Sequence, residues 1–248
     1  MNWLRKHPPQ GKIYSNAAEG VYLLTGTIAE PTLNYYISTT ELARQMSMQT
    51  SYIAWFHKDY YWDKLFDLPE VLSRYEVEEV EDLPDGKLYL ATGAVKPEPW
   101  LWAVYRLWSP ATDRHCYADR RQGDKLLASG AGWILESTAF YAFAEAGPEI
   151  YPVYRLSSES LHANFYTIDE AEKDKLLSDP SDAWALQGVA FYAYREPLGM
   201  DLSPVYRLRS KSGDCILTTD AGEQPSLTGG DSSEWTDDGV ICYAHGPQ

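Results

Sequence analysis

Apolar and polar positions alternate in three strings of closely similar composition, AVYRLWS at 103–109, PVYRLSS at 152–158 and PVYRLRS at 204–210. Alternation with a period of two describes a β-strand with one buried face. A second short apolar run follows each string: HCYA from 115, NFYT from 164 and DCIL from 214. The stretches between, SPATDR, SSESLHA and SKSGD, carry the Ser, Pro, Asp and Gly residues that favour turns, so each pair predicts a β-hairpin. RRQGDKLLAS and IDEAEKDKLLSD come next and predict short helices. In the second, acids lie early and lysines late, as a helix dipole prefers. AGEQPSLTGG takes that place in the third copy, where its glycines and proline predict loss of the helix.

A tryptophan then opens a last apolar run in GWILESTAFYAF, AWALQGVAFYAY and EWTDDGVICYAH. Trp133, Trp184 and Trp235 recur at a constant interval of 51 residues, and Tyr141, Tyr192 and Tyr243 follow them eight residues later. Three strands and a short helix in about 50 residues cannot bury an apolar face alone, so such copies pack around a common axis. The expected fold is mainly β, a pseudo-threefold repeat of β-trefoil-like form with short helices, a compact β-propeller being the alternative.

The repeats fill residues 103–248, leaving 1–102 as a divergent amino-terminal repeat or a separate element. VYLLTGTIAEP at 21–31 echoes LYLATGAVKPEP at 88–99, and NYYIS from 34, YIAWF from 52 and WDKLFDLPEVL from 62 offer the remaining elements of a degenerate copy. RYEVEEVEDLPDG reads as a solvated acidic insertion. The aromatic stretch YIAWFHKDYYW, from Tyr52 to Trp62, is either a packed strand and helix start or an exposed surface for a partner.

Composition narrows the functional classes. An apolar content of 44% with 14% aromatics supports a substantial core. No stretch approaches the roughly 18 consecutive apolar residues of a membrane span. MNWLRKHPPQGK lacks the apolar centre of a secretory signal, so the expected location is the cytoplasm, or outside the cell after release without a classical signal peptide. Thirty-six acids against 21 bases give a formal charge of -15, which repels a phosphate backbone and argues against nucleic acid. Neutral or cationic partners fit that balance better.

Cys116, Cys215 and Cys242 lack metal-ligand spacing, and neither metal nor cofactor is expected. In the repeat alignment Cys116 and Cys215 take the place of Phe165, and Cys242 that of Phe140 and Phe191. Reduced apolar packing is the expected role, with a Cys215–Cys242 bridge as the alternative.

The repeat positions also supply candidate binding residues. Trp133, Trp184 and Trp235 serve either as core or as flat faces for a sugar ring, with Glu136, Gln187 and Asp238 three residues on to hold hydroxyls. His115, Asn164 and Asp214 head the second strands as further hydrogen-bonding groups. Arg106, Arg155 and Arg207 make structural ion pairs or clamp a ligand. The chain has no GxSxG, HExxH or phosphate loop, so catalysis is not expected.

PVYRL, NFYT, the acidic helix with DKLL, and the tryptophan before QGVAFYAY resemble a microbial repeat domain family of unknown function. Its copies read Pro-Leu-Tyr-Arg, His-Phe-Tyr-Thr, an acidic helix, Gly-Trp or Gly-Tyr, then Glu-Gly and an aromatic strand. The resemblance covers 104–245 well and 19–103 poorly. His115 and Glu136 keep the family residues, whereas Asn164, Asp214, Gln187 and Asp238 depart from them. Members look like accessory modules of secreted hydrolases, which implies attachment to polysaccharide or cell-surface material. The expected function is a lectin-like, carbohydrate-binding module with shallow repeat-derived sites. A protein-interaction module, such as an inhibitor or toxin component, is the alternative, and a glycoside hydrolase, needing two acids across a cleft, is less favoured.

Overall fold

The computed structural model describes residues 4, 6–8, 11–18, 21, 27–31, 51–56, 67–83, 86–95, 100–181, 183–198, 201–229 and 234–247. The NYYIS stretch, residues 57–62 of the aromatic stretch, 62–66 of the proposed helix and 22–26 of the first echo lie outside them. The chain divides into two compact units, Met1–Glu98 and Pro99–Gln248. The fold is mainly β with a few short helices, its sheets are open, and no closed barrel forms among the described residues.

The first unit holds β1 (Lys12–Ser15), β2 (Ala29–Pro31), β3 (Ser51–Phe56), α1 (Leu68–Arg74), β4 (Tyr75–Leu83) and β5 (Gly86–Val95) in a mixed sheet of order β2-β1-β3-β5-β4. β1 runs parallel to both β2 and β3, whereas the described strand pairings of the second unit are antiparallel. The acidic stretch is an edge strand and not a solvated insertion: Tyr75 is buried and Val77 and Val80 half-buried, while Glu76, Glu78, Glu79 and Asp82 face solvent. Charges on an edge strand also discourage pairing with another chain.

The second unit contains three successive segments of identical element order, strand, strand, helix, strand. They are β6 (Leu101–Ser109), β7 (Arg114–Asp119), α2 (Arg120–Ala128) and β8 (Ile134–Phe143); β9 (Ile150–Ser158), β10 (Ala163–Thr167), α3 (Glu170–Ser178) and β11 (Ala185–Tyr194); and β12 (Leu202–Ser210), β13 (Cys215–Thr218), α4 (Glu223–Thr228) and β14 (Trp235–His245). In each, the first strand lies between the other two, both antiparallel to it. The carboxy-terminal ends of β8, β11 and β14 pair with one another, through Tyr192 with Phe143, Tyr194 with Tyr243 and His245 with Tyr141.

Asp119 and Asp169 start their helices by accepting from backbone N–H groups two or three residues on, at 2.9 Å from Gln122 and 2.7 Å from Ala171. The third helix is shortened but not lost, against the expectation from its breakers. Pro225 lies in its first turn, where an N–H has no helical partner to lose, and the Gly229 N–H closes the end on the Pro225 carbonyl at 2.9 Å. In α2, Gly123 presses against Tyr105, and a Cβ there would stand 2.5 Å from Tyr105 Cδ2.

Corresponding side chains of the three segments meet in one core: Val104 with Val153 and Val205, Phe140 with Phe191 and Cys242, and Ala142 with Ala193 and Ala244. Phe140 and Phe191 pack edge to face at 5.2 Å. Each such large apolar side chain, fully buried, contributes roughly 1.5–3 kcal/mol. The three cysteines are free and buried, and burial pushes the Cys215 and Cys242 thiols up, which keeps them protonated and unreactive.

Candidate functional site

Strand register decides which candidates share an environment. Trp108 pairs with His115 and Ser157 with Asn164, but the corresponding Arg209 pairs with Cys215. The third hairpin turn is one residue shorter, with Gly213 at φ +97, so Asp214 moves back to the place of Arg114 and Ala163. Hence Cys215 replaces the His and Asn, and Ile216 replaces Cys116 and Phe165, a correction to the alignment by sequence alone.

That shift gathers the three residues expected in separate pockets into one cluster. The buried Asp214 carboxylate accepts the His115 backbone N–H at 2.9 Å through Oδ2 and the Asn164 N–H at 3.0 Å through Oδ1. Oδ2 also stands 3.2 Å from His115 Nδ1, and the Asn164 amide donates to the His115 carbonyl. His115 Nε2 lies 3.5 Å from Glu136 Oε2, and the Trp235 ring packs at 6.5 Å from the imidazole. These bonds run between different strands, an arrangement that joins the three hairpins.

The acid-or-amide positions all fall at β-bulges. Register shifts occur between Arg106 and Leu107, at Leu186/Gly188 and between Tyr206 and Leu208, placing Glu136, Gln187 and Asp238 as the extra residues. Gly188 and Gly239, at φ +112 and +87, supply the left-handed turn that two of these bulges require. Arg106 Nε donates to Glu136 at 3.0 Å and its Nη1 to Glu223 of α4 at 2.7 Å. Arg207 Nε donates to Asp238 at 2.9 Å, and its other nitrogens form a fork on Glu172 of α3 at 2.8 and 2.9 Å. Burial works against the charged form of Glu172, but its bonds to Arg207 and Thr167 outweigh it and hold the carboxyl below its ordinary range. Gln187 gives Arg155 no carboxylate. Arg155 donates instead to Cys116 Sγ at 2.8 Å, while Gln187 reaches only the Ala185 carbonyl, at 3.4 Å.

The tryptophans have three different surroundings. Trp133 is half-buried, with the Arg114 guanidinium 5.9 Å from its ring centroid. Trp235 sits against His115. Trp184 is buried edge to face on Phe165 at 5.8 Å, and both border an open cleft of about 390 Å³ between the second and third segments. Leu161 and Leu176 extend its apolar wall. Arg209, Ser210, Lys211, Ser212 and Thr236 complete it from the third segment. Its size falls in the roughly 300–1,000 Å³ of ligand sites, and apolar walls with a few polar groups are their usual lining.

Arg209 and Lys211 were not among the sequence candidates. Their signal was departure from the repeat: the register places of Arg209 hold Trp108 and Ser157, and those of Lys211 hold Pro110 and Glu159. Among the described residues, no group of three or more His, Cys, Asp or Glu is gathered to hold a metal ion, and no helix is long and apolar enough to cross a membrane.

No curated protein and no solved structure matches the chain. A family model described as a domain of unknown function, DUF5648, does match, over residues 103–245. That span covers more than half of the chain and takes in all three segments and the cleft, and the chain therefore belongs to the DUF5648 family.

Proposed function

We propose that the second unit is a lectin-like, carbohydrate-binding module without catalytic activity, and that the Trp184 cleft is its principal site. The observation that carries this reading is the aromatic floor of Trp184 and Phe165 beneath a wall of Ser210, Ser212 and Thr236 hydroxyls and the Arg209 guanidinium. Sugar C–H groups pack on aromatic rings while hydroxyls exchange hydrogen bonds with short polar side chains. His115, Asn164 and Asp214 act in this reading as the junction that holds the hairpins, and Trp133 and Trp235 as packing residues.

The same proposal extends to the architecture. We read the three segments as a pseudo-threefold, compact propeller-like arrangement. Three antiparallel three-stranded groups, joined into one nine-stranded sheet only through the ends of their last strands, support a propeller more than a trefoil.

A protein-interaction module is the second reading, favoured by Ile134, Leu135 and Leu186, which expose 47%, 43% and 45% of their surface at the starts of β8 and β11. A glycan array probed with the full chain and with Trp184→Ala, each shown folded by circular dichroism, tests the first reading. Selective glycan binding that falls at least about tenfold in the variant, or about 1.4 kcal/mol, is expected. A folded protein that binds no glycan refutes it and leaves the apolar row as the surface to pursue.

A further inference from the structure

We propose that the Trp184 cleft takes an acidic saccharide, held by its carboxylate at Arg209 and Lys211, and that each chain binds one such ligand. The inference rests on the carbohydrate reading of the cleft and specifies its ligand.

The overall charge of -15 favours neutral or cationic partners, yet the cleft inverts that balance. Among the described residues its lining contains two cations and no carboxylate. Arg207 and Arg209 share Asp238, one on each oxygen, and Arg207 also pairs with Glu172, so two carboxylates balance the two guanidiniums. Lys211 is then the surplus charge, having no ion pair among the described residues. In a protein of this composition, a local positive opening draws anions that the remaining surface repels.

The geometry also suits a carboxylate better than a simple anion. Arg209 is 47% exposed at its side chain, and one nitrogen donates to Asp238 at 3.0 Å. That bond orients the planar fork, whose other donors have no partner among the described residues, so the fork stands oriented for a carboxylate. Ser210 and Ser212 hydroxyls lie 2.8 Å apart at the same wall, so one of them has a proton to offer outward. The apolar floor accepts the ring that carries the acid.

Only the third segment supplies this pair. The corresponding positions are Trp108 and Pro110 in the first segment and Ser157 and Glu159 in the second, where one cation is absent and the other is replaced by proline or an acid. Three equivalent sites are thus not built, and one ligand per chain follows.

Isothermal titration of the full chain with trigalacturonate and 3′-sialyllactose, beside carboxyl-reduced trigalacturonate and lactose, tests this. At least one acidic ligand is expected to bind with a stoichiometry of one, about tenfold or more tighter than its neutral counterpart, and the better acid identifies uronic or sialic acid as the source. Lys211→Glu, at an exposed side chain, should weaken the acidic ligand about tenfold and leave the neutral one unchanged, and Arg209→Gln should weaken the acidic ligand more than the neutral one. Equal affinity for acid and neutral forms, lost in Trp184→Ala, overturns the acidic inference and keeps the glycan site. A stoichiometry near three overturns the single site. Failure of all four ligands to bind the folded protein overturns both readings.

Discussion

Replacing Arg207 by methionine tests whether the second and third segments are joined by a buried charge network. The guanidinium is 7% exposed, lies 4.1 Å from the Phe165 ring centroid, and donates to Asp238, to Glu172 and to the Tyr166 carbonyl. Methionine keeps roughly the volume but takes the fork away from Glu172 and leaves Asp238, 10% exposed, only Arg209, itself 47% exposed, as a counter-charge. Removing one partner of a buried pair costs about 3–5 kcal/mol. The lower end applies here, because Glu172 is about a third exposed and water relieves part of its isolation. For a unit of this size, about 3 kcal/mol corresponds to a fall in Tm of roughly 6–12 °C. The matching control is Glu159→Gln, which breaks the Arg114 pair at a carboxylate 82% exposed and should cost about 0–1 kcal/mol. Urea unfolding of the full chain, followed by tryptophan fluorescence, compares the two. Adding Glu172→Gln to Arg207→Met should recover part of the loss by removing the carboxylate that the first substitution leaves unpaired. A loss in Arg207→Met no larger than in Glu159→Gln would refute the network.

Two further substitutions probe other parts of the unit. Burial holds the His245 imidazole below its ordinary pKa, with Asp201 acting in the other direction, so the folded state favours the neutral ring. Its stabilisation is present above the ordinary value of about 6.5 and lost as pH falls below it. Urea midpoints should therefore drop between pH 7.5 and 5.5, and His245→Phe should flatten that slope. Gly123→Ala, ordinarily worth about 1 kcal/mol of helix stability, should instead destabilise by about 1–3 kcal/mol because the new methyl meets Tyr105; a raised Tm would contradict the packing.

Local pattern revealed the local elements of the second unit. The alternating strings became β6, β9 and β12, and the tryptophan-led runs became β8, β11 and β14. Two features resisted such reading because they depend on pairing across the chain. A turn one residue shorter moves every later residue of β13 relative to its equivalents, and nothing within DCIL announces it. The Asp214 carboxylate meets His115 and Asn164 only because the hairpins converge, which composition does not encode. Proline in AGEQPSLT misled for a simpler reason: its position within the first turn mattered more than its presence. The cleft is not legible in the repeat pattern because it draws on residues that break the repeat.

The Arg106–Glu223 and His115–Asp214 contacts bind the first segment to the last, across 117 and 99 residues of sequence. A chain emerging from the ribosome cannot complete its first segment until the last has been made, and long-range closure of this kind slows folding. The third segment is accordingly a folding requirement for the first. Truncation after residue 198 should leave a collapsed, aggregation-prone chain in place of a smaller working module.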